Sequence, residues 1–304
     1  MPSVSGNRPA DFDSYWTKTM DEMKQVPPAP EIEAIPLRTT DFATLYGVRL
    51  TSIGPYRLFA YLSIPHGSGP FPARYYIPGY RSVHDPIPQG TPNAQRAHYI
   101  TFSLAARGQR NSDRPFAASF PGLLTEGIDD PSTYIFRGIV ADCCRGLEYL
   151  TSRPEVDLRR VLTIGNDLSL ITAALSPQVT HIVCAPAIFY ATADLAPHAQ
   201  TYPLEEINDY LRLYSIRNEA IQETLSYLDL RWFAPNVKAT ALLMVGGDGD
   251  LLNSKILQPL VQALQGEVEV HKAEHSSYKD GLFQEQWITR QLGLEKPILP
   301  EHWQ

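Results

Sequence analysis

The chain has 304 residues, 43% of them apolar and 19% charged, which is enough to bury a large core. A formal charge of −7 at pH 7 argues against nucleic acid or an anionic membrane as the main partner. No apolar run approaches the ~20 residues that span a bilayer, and the N-terminus lacks the basic and apolar segments of a secretory signal, so a cytoplasmic protein is expected.

From the N-terminus, Asp11 to Gln25 spaces Tyr15, Trp16, Met20 and Met23 as an amphipathic helix. It belongs to an N-terminal extension over residues 1–30 that ends at Pro27-Pro28-Ala29-Pro30. Runs rich in β-formers at Glu33 to Arg38, Leu45 to Ile53 and Arg57 to Ile64 predict antiparallel strands. Ala73 to Ile77 predicts a short apolar strand ending at Pro78-Gly79-Tyr80, and Tyr99 to Ala105 predicts another. Ser132 to Leu150 reads as a long helix. Strand Val161 to Ile164, helix Leu168 to Leu175 and strand His181 to Ala185 follow. Residues 201–227 are polar and helical, within a cap over about residues 190–230. Strand Ala241 to Val245, helix Ser254 to Leu264, strand Val268 to His271 and helix Phe283 to Leu292 complete the chain.

Strands alternating with helices predict an α/β fold: a mostly parallel, twisted sheet covered on both faces, in one domain over residues 1–304. Cys143, Cys144 and Cys184 are the only cysteines. They have no metal-ligand spacing with a histidine and read as buried, reduced thiols, with no metal expected.

In such a sheet, reactive groups sit on loops beyond the carboxyl ends of the strands. Gly165-Asn166-Asp167-Leu168-Ser169 is a strand-to-helix turn, where α/β-hydrolases carry the nucleophile elbow G-x-S-x-G. Its centre reads as Asp167, at a turn that drives a residue towards positive φ, which Asp tolerates better than most. A carboxylate there can attack carbon directly. The plainer alternative is that Asp167 caps the following helix. The turn Gly246-Gly247-Asp248-Gly249-Asp250 follows a buried strand, where a triad acid belongs in the order nucleophile, acid, histidine. His275, between the last strand and the last helix, is the candidate base. His84, His98, His181, His198 and His302 read as surface or core histidines, and His271 lies within a strand. Pro78-Gly79-Tyr80 can aim a backbone N–H at an oxyanion, paired with the Leu168 N–H. Phe189, Tyr190, Tyr210 and Tyr214 are the candidate pocket side chains.

These loops, in this order, make the chain resemble the acetyl xylan esterase and cephalosporin-C deacetylase group, carbohydrate esterase family seven, from about Asp11 to Leu292. The matching pieces are Asp11-Phe12-Asp13-Ser14-Tyr15-Trp16, Pro78-Gly79-Tyr80 (His-Gly-Tyr in the family) and Arg107-Gly108-Gln109. Tyr134-Ile135-Phe136-Arg137-Gly138, the run from Ser152 to Asp157, the run from Glu223 to Asp229, and His275 with Phe283-Gln284 complete them. The resemblance implies an α/β-hydrolase fold, hydrolysis of small acetyl esters on sugars or cephalosporins, no cofactor, and a compact homo-oligomer, often a hexamer. Carried over by position, Tyr80 and Leu168 supply the oxyanion-hole N–H groups and His275 the base.

The departures fall at the chemistry. The family's Gly-Gly-Ser-Gln-Gly becomes Ile164-Gly165-Asn166-Asp167-Leu168-Ser169, read as G-x-D-x-S, so the serine, the glutamine and the closing glycine are gone. Gly249 falls on the family's aspartate, flanked by Asp248 and Asp250, with Asp250 favoured by a one-residue shift. Loss of the nucleophile in a serine hydrolase costs several orders of magnitude in rate, so ordinary acetyl-esterase activity is expected to be weak or absent. Two readings stay open. One is an enzyme acting on a small molecule through Asp167, His275 and an acid, hydrolytically or as acid and base. The other is a degenerate member that binds a ligand or partner without turnover. The retained histidine and acid favour the first.

Overall fold

The computed structural model describes residues 4–80, 83–84, 87–88, 91–114, 116 and 118–300; His302 lies outside them. Helix α1 (Phe12–Gln25) buries Phe12, Trp16, Thr19 and Met23, one face of a 3.6-residue repeat. In chain order there follow β1 (Glu31–Ala34), β2 (Ala43–Ser52), β3 (Tyr56–Pro65), β4 (Phe71–Tyr76), β5 (Ile100–Ala105), α2 (Ile135–Thr151), β6 (Val156–Gly165) and α3 (Asp167–Leu175). The second half comprises β7 (His181–Cys184), α4 (Thr192–Leu195), α5 (Glu205–Leu213), α6 (Asn218–Ser226), α7 (Leu230–Phe233), β8 (Thr240–Val245), α8 (Gln258–Ala263), β9 (Val268–Lys272) and α9 (Ser277–Leu292).

The strands form a nine-stranded sheet in the order β1-β2-β3-β5-β4-β6-β7-β8-β9. Pairing is antiparallel from β1 through β2 and β3 to β5, and parallel from β5 to β9. The central strands are rich in apolar residues because helices cover both of their faces; all six positions of β5 are buried, Thr101 and Ser103 included. Helix α2 lies so close to β4 that a Cβ on Gly146 would stand 2.4 Å from the Tyr75 hydroxyl oxygen. That hydroxyl donates to the Cys143 carbonyl of the same helix at 3.0 Å. Cys143, Cys144 and Cys184 are free and buried. Among the described residues no helix is long and apolar enough to cross a membrane.

Several boundaries differ from the sequence expectation. β1 stops at Ala34, and a 3-10 turn takes Pro36–Arg38, because proline has no N–H to give a ladder. The helix expected from Ser254 starts only at Gln258, since Asn253 Oδ1 folds back onto the N–H groups of Lys255 and Ile256. The cap breaks between α5 and α6 at Tyr214, whose φ of −132° and ψ of 55° are not helical. The closing helix begins earlier than expected, capped by Ser276, whose hydroxyl accepts the Lys279 N–H.

Candidate active site

β6 ends at Gly165, pressed against the neighbouring strand end; a Cβ there would stand 3.3 Å from Ile77 Cβ. The residue on the turn itself is Asn166. Its backbone is extended, and its Oδ1 accepts the Leu168 N–H at 3.0 Å, so Asn166 is the N-cap of α3. Asp167 is the first helical residue, and neither it nor Asn166 has the positive φ expected of an elbow centre. The turn thus falls one residue earlier than G-x-D-x-S suggests, because Asn caps a helix as well as Asp does and comes first.

The Asp167 side chain is fully buried. Oδ2 accepts the Ala187 N–H at 3.0 Å, Oδ1 accepts the Phe189 N–H at 2.9 Å, and the Ile188 N–H reaches both oxygens at 3.2 and 3.1 Å. Burial pushes the carboxyl above the usual carboxylate range, while these N–H groups and its own pull it down. Asp167 therefore ties α3 to the segment after β7, instead of capping its helix or facing a pocket.

The cavity at the turn is lined by Asn166, Leu168, Pro78, Gly79, Tyr80, Ala106, Arg107, Gln109, Leu123, Phe136, Ile139, Ile188 and Phe189. Its volume is about 10 Å³, close to the ~10–15 Å³ that one water needs. Arg107 is held in place by Asp142, Nε to Oδ2 at 2.8 Å and Nη2 to Oδ1 at 2.7 Å. Gln109 accepts the Ala106 N–H at 3.0 Å and donates to the Gly79 carbonyl at 2.9 Å, fixing the Gly79-Tyr80 turn. Tyr80 and Leu168 both stand at this cavity, but the Leu168 N–H is taken by Asn166 Oδ1. Phe189 lines it. Tyr190, Tyr210 and Tyr214 do not: the Tyr190 hydroxyl donates to the Ile256 carbonyl at 2.7 Å, Tyr210 bonds Asp129 at 2.9 Å, and Tyr214 packs between Tyr210 and Arg217.

Asp250 folds back over its turn, accepting the Gly247 N–H at 2.6 Å and meeting His275 Nε2 at 2.9 Å. Asp248 points away to Lys272 Nζ at 2.7 Å and is 81% exposed. His275 is itself 67% exposed and holds φ at 54°, a left-handed conformation that is costly for a residue with a Cβ. Asp280 braces it: its carboxylate accepts the N–H groups of Glu274 at 3.0 Å and Ser276 at 3.1 Å, on either side of His275, and meets His271 Nε2 at 2.8 Å. Burial works against the charge, but these N–H groups and His271 hold the Asp280 carboxyl below the usual range.

Three of these residues carry no catalytic signature in the sequence. Gln109 had only its place in Arg107-Gly108-Gln109, and Asn166 only the pattern of a cap ahead of an apolar run. Asp280 had none. Among the described residues no cluster of three His, Cys, Asp or Glu side chains could hold a metal. A larger groove of about 390 Å³ lies elsewhere, bounded by residues 5–7 and by parts of α4, α6 and α7.

The acetyl xylan esterase (AXE1) family model matches residues 4–275. Acetyl esterase Axe7A of Xylanibacter ruminicola is 25% identical over 303 residues, spanning 93% of this chain and 67% of that protein. Acetyl xylan esterase 1 from Thermoanaerobacterium sp. JW/SL YS485 is similar in structure, with a TM-score of 0.79 at 24% identity over 93% of this chain and 95% of that one. The acetyl xylan esterase of Paenibacillus sp. R4 gives 0.79 at 21% identity, over 95% and 96%. The sheet and its helices are the α/β-hydrolase fold.

Proposed function

Because the chain belongs to the acetyl xylan esterase (AXE1) family and carries Asn166 at its strand-to-helix turn, we propose that it binds a small acetylated ligand without cleaving it. The observation that carries this is the engagement of the Asp167 carboxylate by the N–H groups of Ala187, Ile188 and Phe189. A nucleophile must offer a lone pair to the substrate carbon, and Asp167 turns both oxygens to backbone donors. Asn166 offers the cavity an amide, which forms no acyl-enzyme. Leu123, Phe136, Ile139 and Phe189 give that cavity apolar walls; widened beyond its present water-sized volume, it would take an uncharged acetyl group with one carbonyl to orient. The names of the relatives, an acetyl esterase and acetyl xylan esterases, support an acetylated sugar as the ligand class. On this view the partner is a small molecule, and the chain is a cytoplasmic homo-oligomer, a state that light scattering reads.

One observation favours a second reading: the 2.9 Å contact between His275 and Asp250. There the pair works as acid and base on a small-molecule substrate, with Asp167 leaving its N–H donors to act as nucleophile.

Saturation-transfer NMR with fully acetylated xylose and with free xylose separates the two. Transfer to the acetyl methyl protons, with no acetate released over hours, is expected. No transfer to either sugar contradicts binding, and acetate release that vanishes in Asp167→Asn supports the second reading instead.

A further inference from the structure

The cavity at Asn166 is narrow, about 10 Å³, and one part of its rim rests on a short turn. Among its larger apolar lining side chains, Tyr80 and Leu123 are half-buried, while Phe136, Leu168, Ile188 and Phe189 are buried. Leu123 rides on the 3-10 turn Leu123–Thr125, and this turn is tied to cap helix α5 through one carboxylate. Glu206, 1% exposed, accepts the Thr125 N–H at 3.0 Å and the Thr125 hydroxyl at 3.3 Å, and also takes the Leu124 N–H. The approach is close: a Cβ on Gly122 would stand 2.5 Å from Glu206 Oε2. A side chain at residue 122 would push this carboxylate from its place.

We propose that Glu206 is a pH-sensitive latch, holding Leu123 over the cavity in acid and releasing it as the pH rises. The inference rests on the cavity at Asn166 being the ligand site. Burial pushes the Glu206 carboxyl up to about 7 against the N–H groups of Thr125 and Leu124, and the like charge of Asp209 adds to the rise. Among the described residues no cation pairs with it. The other charged groups on and around α5 are engaged elsewhere: Arg212 with Glu205 and Asp209, and Arg217 with Asp129. Glu126, at the end of the turn, accepts the Ser119 N–H. His198 lies on the 3-10 turn Ala196–His198 packed against α5.

The sign follows from linkage. Opening returns the carboxyl to water, where a value of about 4.3 applies. Between that value and about 7 the closed state holds a proton that the open state lacks, so raising the pH favours opening.

Amide hydrogen exchange at Leu124 and Thr125 of the full chain, corrected for intrinsic rates, tests the latch. Protection is expected to fall roughly tenfold between about pH 6 and pH 8.5 in the wild type. In Glu206→Gln it should not vary with pH, and in Asp209→Asn the fall should move to lower pH. Constant protection in the wild type, or an equal fall in Glu206→Gln, overturns the proposal. These readouts need no ligand, so a failure of acetylated xylose to bind at any pH counts against the site and not against the latch.

Discussion

Asp167 accepts the Phe189 N–H at 2.9 Å, and the Phe189 ring faces the cavity on the other side of that contact. The acid at the start of α3 is thereby a tie behind the cavity wall. Its oxygens hold the segment after β7 where Ile188 and Phe189 line the cavity beside Asn166.

Removing that tie strands three buried or partly buried N–H groups. A hydrogen bond to a charged group contributes ~1.5–3 kcal/mol, and each orphaned buried donor costs ~1–3 kcal/mol. Asp167→Ala is expected to lose about 4 kcal/mol of unfolding free energy, read from urea curves at unchanged slope. A loss under about 1 kcal/mol contradicts the structural role.

Asn166→Ala removes the N-cap of α3 and should cost about 1 kcal/mol, whereas Asn166→Ser keeps an oxygen for the Leu168 N–H and should cost well under that. The serine at position 166 also brings a hydroxyl to the cavity. Hydrolysis of p-nitrophenyl acetate is expected to rise above the parent in Asn166→Ser and not in Asp167→Ser. The reverse pattern would place the elbow centre at residue 167.

Asp280→Ala frees the loop on both sides of His275 and should cost about 1–2 kcal/mol near neutral pH. Because the native carboxyl lies below its ordinary value, this contribution is present above the unfolded value of about 3.9 and is lost as the pH falls through the lower native one. Thermal melts of wild type and variant should converge in strong acid. An equal gap at neutral and acid pH contradicts the ionic brace.

Gly146→Ala drives a methyl against the Tyr75 hydroxyl, which the closely packed α2–β4 contact does not relieve. A loss of about 2 kcal/mol or more is expected by chemical denaturation. Gly249→Ala meets nothing within 4 Å and should stay within about 0.5 kcal/mol of wild type. Similar losses at the two sites contradict the packing described.

Much of the fold was legible because burial writes itself into composition. Ile100–Ala105, polar only at the small residues Thr101 and Ser103, and the wholly apolar run Ala241-Leu242-Leu243 reflect strands covered on both faces. The place of His275 between the last strand and the last helix was legible, and its nearness to Asp250 is a finding of the structure. The orientation of Asp167 was not, because its partners are backbone N–H groups 20 to 22 residues on, and a backbone donor leaves no mark on residue type. The choice between Asp248 and Asp250 depended on which carboxylate folds back onto Gly247, a matter of turn geometry alone. The three cap tyrosines look like pocket residues by type, yet the cap and the α8 region consume their hydroxyls and rings internally.

The proposed loss of acyl transfer is tested most directly by incubating the purified wild-type protein with p-nitrophenyl acetate, following both nitrophenolate release and the intact mass of the protein. Release at the background rate with an unchanged mass is the expected result. Turnover at a rate typical of serine esterases, or a covalent adduct localised to Asp167, would contradict it.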